Sequence, residues 1–404
     1  MTEHTATALN RTLTLPLLTL YGLGVTVGAG IYVLVGQTAA VAGAYAPFAF
    51  LVAAVAMGFT AFSYTELSTR LPVAAGVAAY VDAGLRQKAL ATVLGLTVAL
   101  SGVVSAGAVA LGAAGYLGAL TGLPAPVLCV AVVVLMAVIA WWGITESVTI
   151  AAIITAIELG GLVLVICWAA FVADPAGLPL PQMVPPLTGP HWTGILIASV
   201  LAFYAFVGFE DMVNVVEEVR APLRTIPRAI AITLVVTVLL YVGVMAAVLV
   251  AVPLADLIAS DAPLLLVFQD GPESLRAAFG LIAVLATVNG VLIQIIMASR
   301  VLYGMARRGQ LPRVLAQVSP RTQTPAIATA LVAAVIVTLS LAFPIGALAA
   351  GTSQIVLTIF LFVNASLIAI KWRGDPAGPH FAVPFAVPVL GIATSAAMLA
   401  FSLM

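Results

Sequence analysis

Charged residues are scarce in this chain: only 7% of its 404 residues are Asp, Glu, Lys or Arg, whereas 63% are hydrophobic. A soluble domain is about a quarter charged, so this composition excludes an ordinary soluble fold. The mean hydropathy of +1.22 agrees with that conclusion. The chain is therefore predicted to be an integral membrane protein.

Histidine and cysteine are also scarce, with three and two copies. Metal, haem and acid-base chemistry inside membranes depends heavily on histidine, and the sequence contains neither an HExxH motif nor a P-loop. We therefore expect no enzyme activity, no metal and no cofactor. The positions are His4, His191 and His380, in the tail or predicted loops, and Cys129 and Cys167, in apolar segments where a disulfide is not expected.

Long apolar runs are what the sequence has in abundance. A helix needs about 20 apolar residues to cross a bilayer, and the runs lack the alternating pattern of a membrane barrel, so the predicted fold is all-α. Eleven segments qualify, within a single membrane domain over 1–404 in which 1–12 form a tail. The segments are 13–36, 42–66, 89–120, 125–143, 148–171, 193–216, 229–252, 275–303, 325–343, 346–370 and 384–404.

Basic residues are sorted along the chain. They occur in the tail and in every second predicted loop, whereas the intervening loops contain only Arg276. By the positive-inside rule the N-terminus is predicted to be cytoplasmic, and an odd number of helices then places Met404 outside. The first ten residues lack the features of a signal peptide.

Two predicted helices carry an interruption in the middle. The first is the cluster of small residues Gly28, Ala29 and Gly30, and the second surrounds Gly208, just before Glu210. Breaks at corresponding places in two halves are typical of the substrate site of a secondary transporter. Residues 13–171 and 193–370 are accordingly predicted to be inverted repeats of five helices each, and 384–404 an additional helix.

Five motifs in consistent order resemble the amino acid/polyamine/organocation superfamily, and within it the cationic amino acid transporter branch. They are GVTVGAGIYVL from Gly24, YTEL with RLP from Tyr64, FYAFVGFE with EEVR from Phe203, SRVLYGMA with GQLP from Ser299, and the Thr324-Pro325 pair. The resemblance covers most of the chain. It implies a LeuT-like core of five plus five helices, with discontinuous helices 1 and 6, that moves amino acids.

The resemblance also implies that backbone groups at the breaks bind the substrate. Amides of Ala29 and Gly30, at the positive end of a half-helix, are expected to bind the carboxylate, and freed carbonyls the ammonium group. Tight helix packing is the alternative explanation of the glycines. The predicted substrate-binding residues are Thr26, Gly28, Ala29, Gly30, Tyr204, Ala205, Val207 and Gly208.

Four further residues are predicted to serve coupling or gating. Glu158 lies well inside segment 148–171, where a carboxylate costs a few kcal/mol unless it is paired, hydrated or protonated. It is predicted to carry the coupling proton, with a structural hydrogen bond or a contact to a cationic substrate as alternatives. Glu210 is assigned to an inner gate and Phe206, beside Tyr204, to a lid. Asn289 lies on a helix that lines the site in related transporters, and interhelical hydrogen bonding is its alternative role.

The predicted function is proton-coupled transport of a cationic or neutral amino acid by alternating access in the plasma or inner membrane. Exchange of amino acids or polyamines is the main alternative, and a non-transporting amino acid sensor or a channel is less favoured. The lipid bilayer is the expected surrounding, and no nucleic acid partner is expected. Residues 121–125 contain no cysteine, so no disulfide-linked accessory subunit is implied.

Overall fold

The structure is a computed structural model that describes the chain except residues 1–12, 73–75, 143–147, 172–176, 188, 308, 310, 323, 377 and 404, together with the side chains of 29, 148–152, 214 and 217. The described residues form helices and no β-sheet, which confirms the all-α prediction. The described part of the chain contains fourteen α-helices. They are α1 (Leu15–Thr26), α2 (Ala29–Ala42), α3 (Ala46–Arg70), α4 (Gly76–Leu85), α5 (Lys88–Thr121), α6 (Ala125–Trp142), α7 (Val148–Phe171), α8 (His191–Tyr204), α9 (Pro222–Ala251), α10 (Leu254–Ala259), α11 (Glu273–Arg307), α12 (Ala326–Ala342), α13 (Ile345–Arg373) and α14 (Ala386–Phe401).

Short 3₁₀-helices connect several of these elements. One of them, Gly43–Tyr45, joins α2 to α3 with so little interruption that Gly30–Arg70 forms one helical stretch. Another, Phe209–Glu218, follows α8. The remaining three are Leu180–Met183, Pro263–Phe268 and Arg313–Ala316.

Seven helical stretches of the described chain are long and apolar enough to cross a membrane. Each of the eleven predicted segments coincides with helix, and the structure divides two of them at the interruptions that the sequence predicts. The first predicted segment is split into α1 and α2, and the sixth ends its α-helix at Tyr204. The helices α4 and α10 were predicted as loops, because they are too short to give a membrane-length apolar run.

The long helix α5 lies at the centre of the fold. It packs along α11 and α13 and also contacts α4, α6 and α12. Its buried face between Ser101 and Tyr116 consists mostly of alanine, glycine and serine, and small residues let neighbouring helix backbones approach closely. On the other side, α9 packs against α1, α3 and α7. Of the interrupted helices, α1 packs against α9 and α7, and α8 packs against α3, α2 and α13.

Candidate functional site

The first helix break separates α1 from α2. Residue Val27 closes α1 with its N–H donating to the carbonyl of Leu23 at 2.6 Å, and Gly28 is extended, with φ −94° and ψ −147°. The N-cap residue of α2 is Gly28, which has no side chain to cap the helix. The first N–H groups of a helix have no partner within it, so binding of the substrate carboxylate at this helix start stays a prediction.

The second break follows α8. The N–H groups of Ala205, Phe206 and Val207 turn back onto carbonyls three residues earlier, at 2.9 to 3.1 Å. Gly208 then adopts φ +128°, a conformation that residues with a side chain rarely take. A Cβ atom at this position would also collide with the carbonyl oxygen of Val25. Glycine is therefore required here both by conformation and by the close approach of the first break.

The two breaks contact each other directly. A Cβ atom on Gly30 would lie 2.6 Å from the Cα atom of Ala205, so the two backbones can meet only because residue 30 has no side chain. Tyr241 of α9 joins the breaks a second time. Its hydroxyl lies 2.7 Å from the carbonyl oxygens of both Thr26 and Ala205, and a single hydroxyl hydrogen is shared between these two acceptors.

Glu158 of α7 lies beside the breaks and is only 1% exposed. Asn289 on α11 lines the same cavity as Glu158, and the carboxyl oxygen Oε1 of Glu158 has no hydrogen-bond partner among the described residues. The hydroxyl of Tyr32 donates to the Glu158 carbonyl at 2.7 Å, and that of Tyr116 to the Tyr32 carbonyl at 2.6 Å. These bonds connect α7, α2 and α5.

A cavity of about 70 Å³ lies between the breaks. Predicted residues from both breaks line it together with Glu158 and Asn289, so the structure brings together positions far apart in the sequence. Several lining residues were not predicted; most of them are apolar or small, whereas Asp211 and Gln294 are polar. The lining residues are Gly24, Val25, Thr26, Gly28, Gly30, Ser105, Val109, Glu158, Tyr204, Ala205, Val207, Gly208, Asp211, Ala286, Asn289, Gly290, Ile293 and Gln294.

Two of the predicted site residues that the structure describes are not part of this lining. The ring of Phe206 is buried against Tyr241, with ring centroids 5.0 Å apart, and Glu210 accepts a hydrogen bond of 2.9 Å from the N–H of Gly208. The side chain of Ala29 lies outside the described residues. The lid role of Phe206 and the gate role of Glu210 stay predictions. Tyr204 does line the cavity, and its hydroxyl finds the polar partner that a buried tyrosine needs.

A separate polar cluster lies at the end of α3. The fully buried carboxylate of Glu66 binds Lys371 Nζ at 2.7 Å, the backbone N–H of Val383 at 2.7 Å and Arg70 Nη2 at 3.5 Å. These contacts fasten the end of α13 and the segment after it to α3. Lys371 and Val383 lie more than 300 residues from Glu66, and nothing in the local sequence indicates either contact.

The end of α13 also fastens α4. The Arg373 guanidinium donates to the carbonyls of Gly84 at 2.6 Å and Ala83 at 3.0 Å, which satisfies acceptors that a helix end leaves unpaired. The same guanidinium hydrogen-bonds Asp375 at 2.7 Å and lowers the pKa of that carboxyl group. The basic residues Arg70, Lys371 and Arg373 therefore lie together where α3, α4 and α13 end.

These features define a multi-pass membrane protein with a cavity at the contact of two helix breaks. The chain belongs to the amino acid permease family, which it matches over residues 13–404. It is 30% identical over 399 residues to the branched-chain amino acid permease BcaP of Bacillus subtilis, covering 92% of this chain and 83% of that protein.

Other relatives have different names. The chain is 30% identical over 386 residues to the vacuolar cationic amino acid transporter 2 of Arabidopsis thaliana, with 90% of this chain aligned but only 60% of the plant protein. It is 27% identical over 405 residues to the methylthioribose transporter of Bacillus subtilis, covering 95% of this chain and 86% of that protein. The predicted superfamily is thus confirmed, and these relatives are named as transporters rather than enzymes.

Proposed function

We propose that this chain moves an amino acid across the membrane by alternating access, with the substrate bound in the cavity between the two breaks. The proposal rests on the chemical groups that line the cavity. The lining combines the N-terminal end of α2, backbone at both breaks and the acidic residue Glu158. A zwitterion needs both donors and acceptors as partners, because each of its charges costs several kcal/mol when it is desolvated without one.

The start of α2 is the proposed position of the substrate carboxylate. Gly28 and Gly30 line the cavity, and Gly28, the N-cap residue of α2, has no side chain to cap the helix. The free N–H groups and the positive end of the helix dipole both favour an anion. Residue 29 has no hydroxyl group to assist, so binding of the carboxylate rests on the backbone.

The opposite side of the cavity is the proposed position of the ammonium group. The carbonyls of Thr26 and Ala205 already accept from Tyr241, but a carbonyl oxygen has two lone pairs and can accept again. The carboxyl group of Glu158, which is in the same lining, is a further proposed acceptor. Glu158 is also the proposed carrier of the coupling proton, because it lies in the wall that the substrate contacts.

The proposed architecture follows the family. Helices from 13–171 and 193–370 would form two inverted repeats, 384–404 an additional helix, and the chain would cross the membrane eleven times with its N-terminus in the cytoplasm. The separation of α1 from α2, and the end of α8 at Tyr204, support discontinuous helices at matching places in the two repeats. Relatives named for branched-chain and for cationic amino acids leave both substrate classes open.

Reconstitution of the purified chain into proteoliposomes tests the proposal. We expect saturable uptake of at least one radiolabelled amino acid, accelerated by an inward proton gradient. Uptake that instead requires an amino acid inside the vesicles would favour exchange. The Gly30→Val variant is the negative control and Ala29→Ser the tolerated neighbour. A correctly folded chain that neither takes up nor binds any amino acid would refute the proposal.

A further inference from the structure

An open groove runs along α13 where this helix packs against α14. It holds about 390 Å³ and shares no residue with the cavity between the breaks. Five of its residues follow one face of α13 and the sixth belongs to α14. The small side chains of Ala365 and Ala369, one helical turn apart, leave the space. The lining residues are Ala365, Ile368, Ala369, Trp372, Arg373 and Ile392.

The position of the groove along α13 places it inside the bilayer. The helix is long and apolar enough to cross a membrane, and it ends at Arg373. Trp372 is 81% exposed, and tryptophan is enriched where the membrane meets water. With a rise of 1.5 Å per residue, the groove extends about 10 Å from Trp372 to Ala365. The hydrocarbon of one leaflet is about 15 Å deep, so an apolar occupant is required along this length.

The mouth of the groove is polar and basic. The Arg373 guanidinium bonds Asp375 at 2.7 Å, and the other carboxyl oxygen of Asp375 lies 3.4 Å from Arg86 Nη2. The Arg86 side chain is 68% exposed, and this one long contact occupies few of the five N–H donors of its guanidinium. Arg86 can therefore bind an anion that lies beside Arg373.

The net charge of the surrounding residues is positive. Five basic side chains lie around three carboxylates where α3, α4 and α13 end and α5 begins. They are Arg70, Arg86, Lys88, Lys371 and Arg373, with the carboxylates of Glu66, Asp82 and Asp375. Basic groups at this depth attract anionic headgroups.

A second copy of the chain fits the groove less well than a lipid does. In a two-fold dimer the same patch meets itself, so the basic side chains at the mouth would repel their equivalents. A neutral lipid matches the apolar wall but brings no countercharge to the mouth. A phospholipid with an anionic headgroup matches both parts of the groove.

We infer that this groove binds a membrane phospholipid with an anionic headgroup. One acyl chain lies along α13 between Ala365 and Trp372, and the phosphate group binds Arg86 beside Arg373. The site is separate from the cavity at the breaks, so the inference does not depend on the identity of the transported substrate.

Native mass spectrometry of the purified full chain, titrated with phosphatidylglycerol in a neutral detergent, tests the inference. The comparison lipid is phosphatidylcholine with the same acyl chains, which carries no net charge. A basic residue near the membrane surface contributes about a fivefold factor in affinity for an anionic lipid. We therefore expect one phosphatidylglycerol molecule to be retained at a concentration at least about fivefold lower than phosphatidylcholine.

Two variants separate the contributions of charge and shape. Arg86→Gln should reduce the preference for phosphatidylglycerol about fivefold, whereas Ala369→Leu fills the groove and should abolish retention of both lipids. The matched controls are Arg321→Gln, an exposed arginine before α12, and Ala334→Leu, an exposed alanine on α12. Both controls should behave as the wild-type chain does.

Equal retention of the two lipids by the wild-type chain, or an unchanged preference in Arg86→Gln, would overturn the inference. A chain that dimerises without retained lipid and becomes monomeric in Ala369→Leu would also overturn it, because the groove would then belong to a second copy. Should Ala369→Leu fail to fold, phosphatidylglycerol with brominated acyl chains should quench the wild-type fluorescence more than that of Trp372→Phe. Equal quenching would place the lipid elsewhere. None of these measurements uses transport, so their outcome is independent of the proposed function.

Discussion

The hydroxyl group of Tyr241 provides a direct measure of how the two breaks are held together. Tyr241→Phe removes the hydroxyl and keeps the fully buried ring, which packs against Phe50 and Phe206. The single hydroxyl hydrogen is shared by two carbonyl oxygens, each 2.7 Å away. The substitution therefore removes the donor of about one buried hydrogen bond. Leaving a buried acceptor without its donor costs about 1–3 kcal/mol. We expect the free energy of unfolding to fall by that amount.

Denaturant titration of the purified full chain in detergent measures this loss. The matched control is Tyr303→Phe, because the Tyr303 hydroxyl makes only a 3.4 Å contact with Arg307 in an exposed position. We expect the control to change the free energy of unfolding by less than about 0.5 kcal/mol. A Tyr241→Phe variant as stable as the Tyr303→Phe variant would show that the hydroxyl does not bridge the breaks.

The same variant has an expected effect on transport. Without the shared hydrogen, the carbonyls of Thr26 and Ala205 are no longer fixed relative to each other, and small misplacements of binding groups slow a reaction that depends on their alignment. Initial uptake per folded molecule should therefore fall several-fold, while Tyr303→Phe should retain the wild-type rate. Undiminished uptake by Tyr241→Phe would show that the hydrogen bonds of the Tyr241 hydroxyl are not needed for substrate binding.

Three further predictions follow from the site and from the Glu66 cluster. Gly30→Ala should already abolish uptake, because the added carbon would lie 2.6 Å from the backbone of Ala205; normal uptake by this variant would exclude the close contact of the breaks. Glu158→Gln should retain substrate binding and exchange but lose acceleration by an inward proton gradient, and unchanged dependence on external pH would assign the proton to another group. Lys371→Met should reduce stability by about 3 kcal/mol, since it leaves the buried Glu66 carboxylate without its 2.7 Å partner; equal denaturation midpoints would contradict this.

The parts of the fold that depend on local sequence were predictable. Apolar runs give membrane helices because lipid offers backbone groups no alternative partner, and the glycine clusters mark the breaks because no other residue permits such close backbone contact. The sequence also indicated Glu158 as a candidate site residue, because a carboxylate inside an apolar run is costly unless it is paired, hydrated or protonated.

The remaining part of the site depends on contacts between distant segments. Tyr241 lies 215 residues from Thr26, and nothing in its own apolar helix distinguishes it from a packing residue. Ser105 is one of many small residues on α5, so only its contact with Tyr204 identifies it. Gln294 is a polar residue in an apolar helix, a signal that sequence reasoning could have used. The short helices α4 and α10 were missed, because neither gives an apolar run of membrane length.

The arrangement around α2 gives a physical reason to expect coupling between substrate and proton. The helix begins at the break where the substrate carboxylate is proposed to bind, and one turn later its Tyr32 hydroxyl bonds the backbone of Glu158 at 2.7 Å. Any displacement of α2 by a ligand therefore acts directly on the segment of α7 that carries the proposed proton site. By linkage, a ligand that changes proton affinity has its own affinity changed by the same factor. The short path through Tyr32 makes such reciprocity possible without a large rearrangement, because the two sites share one hydrogen-bonded pair of helices.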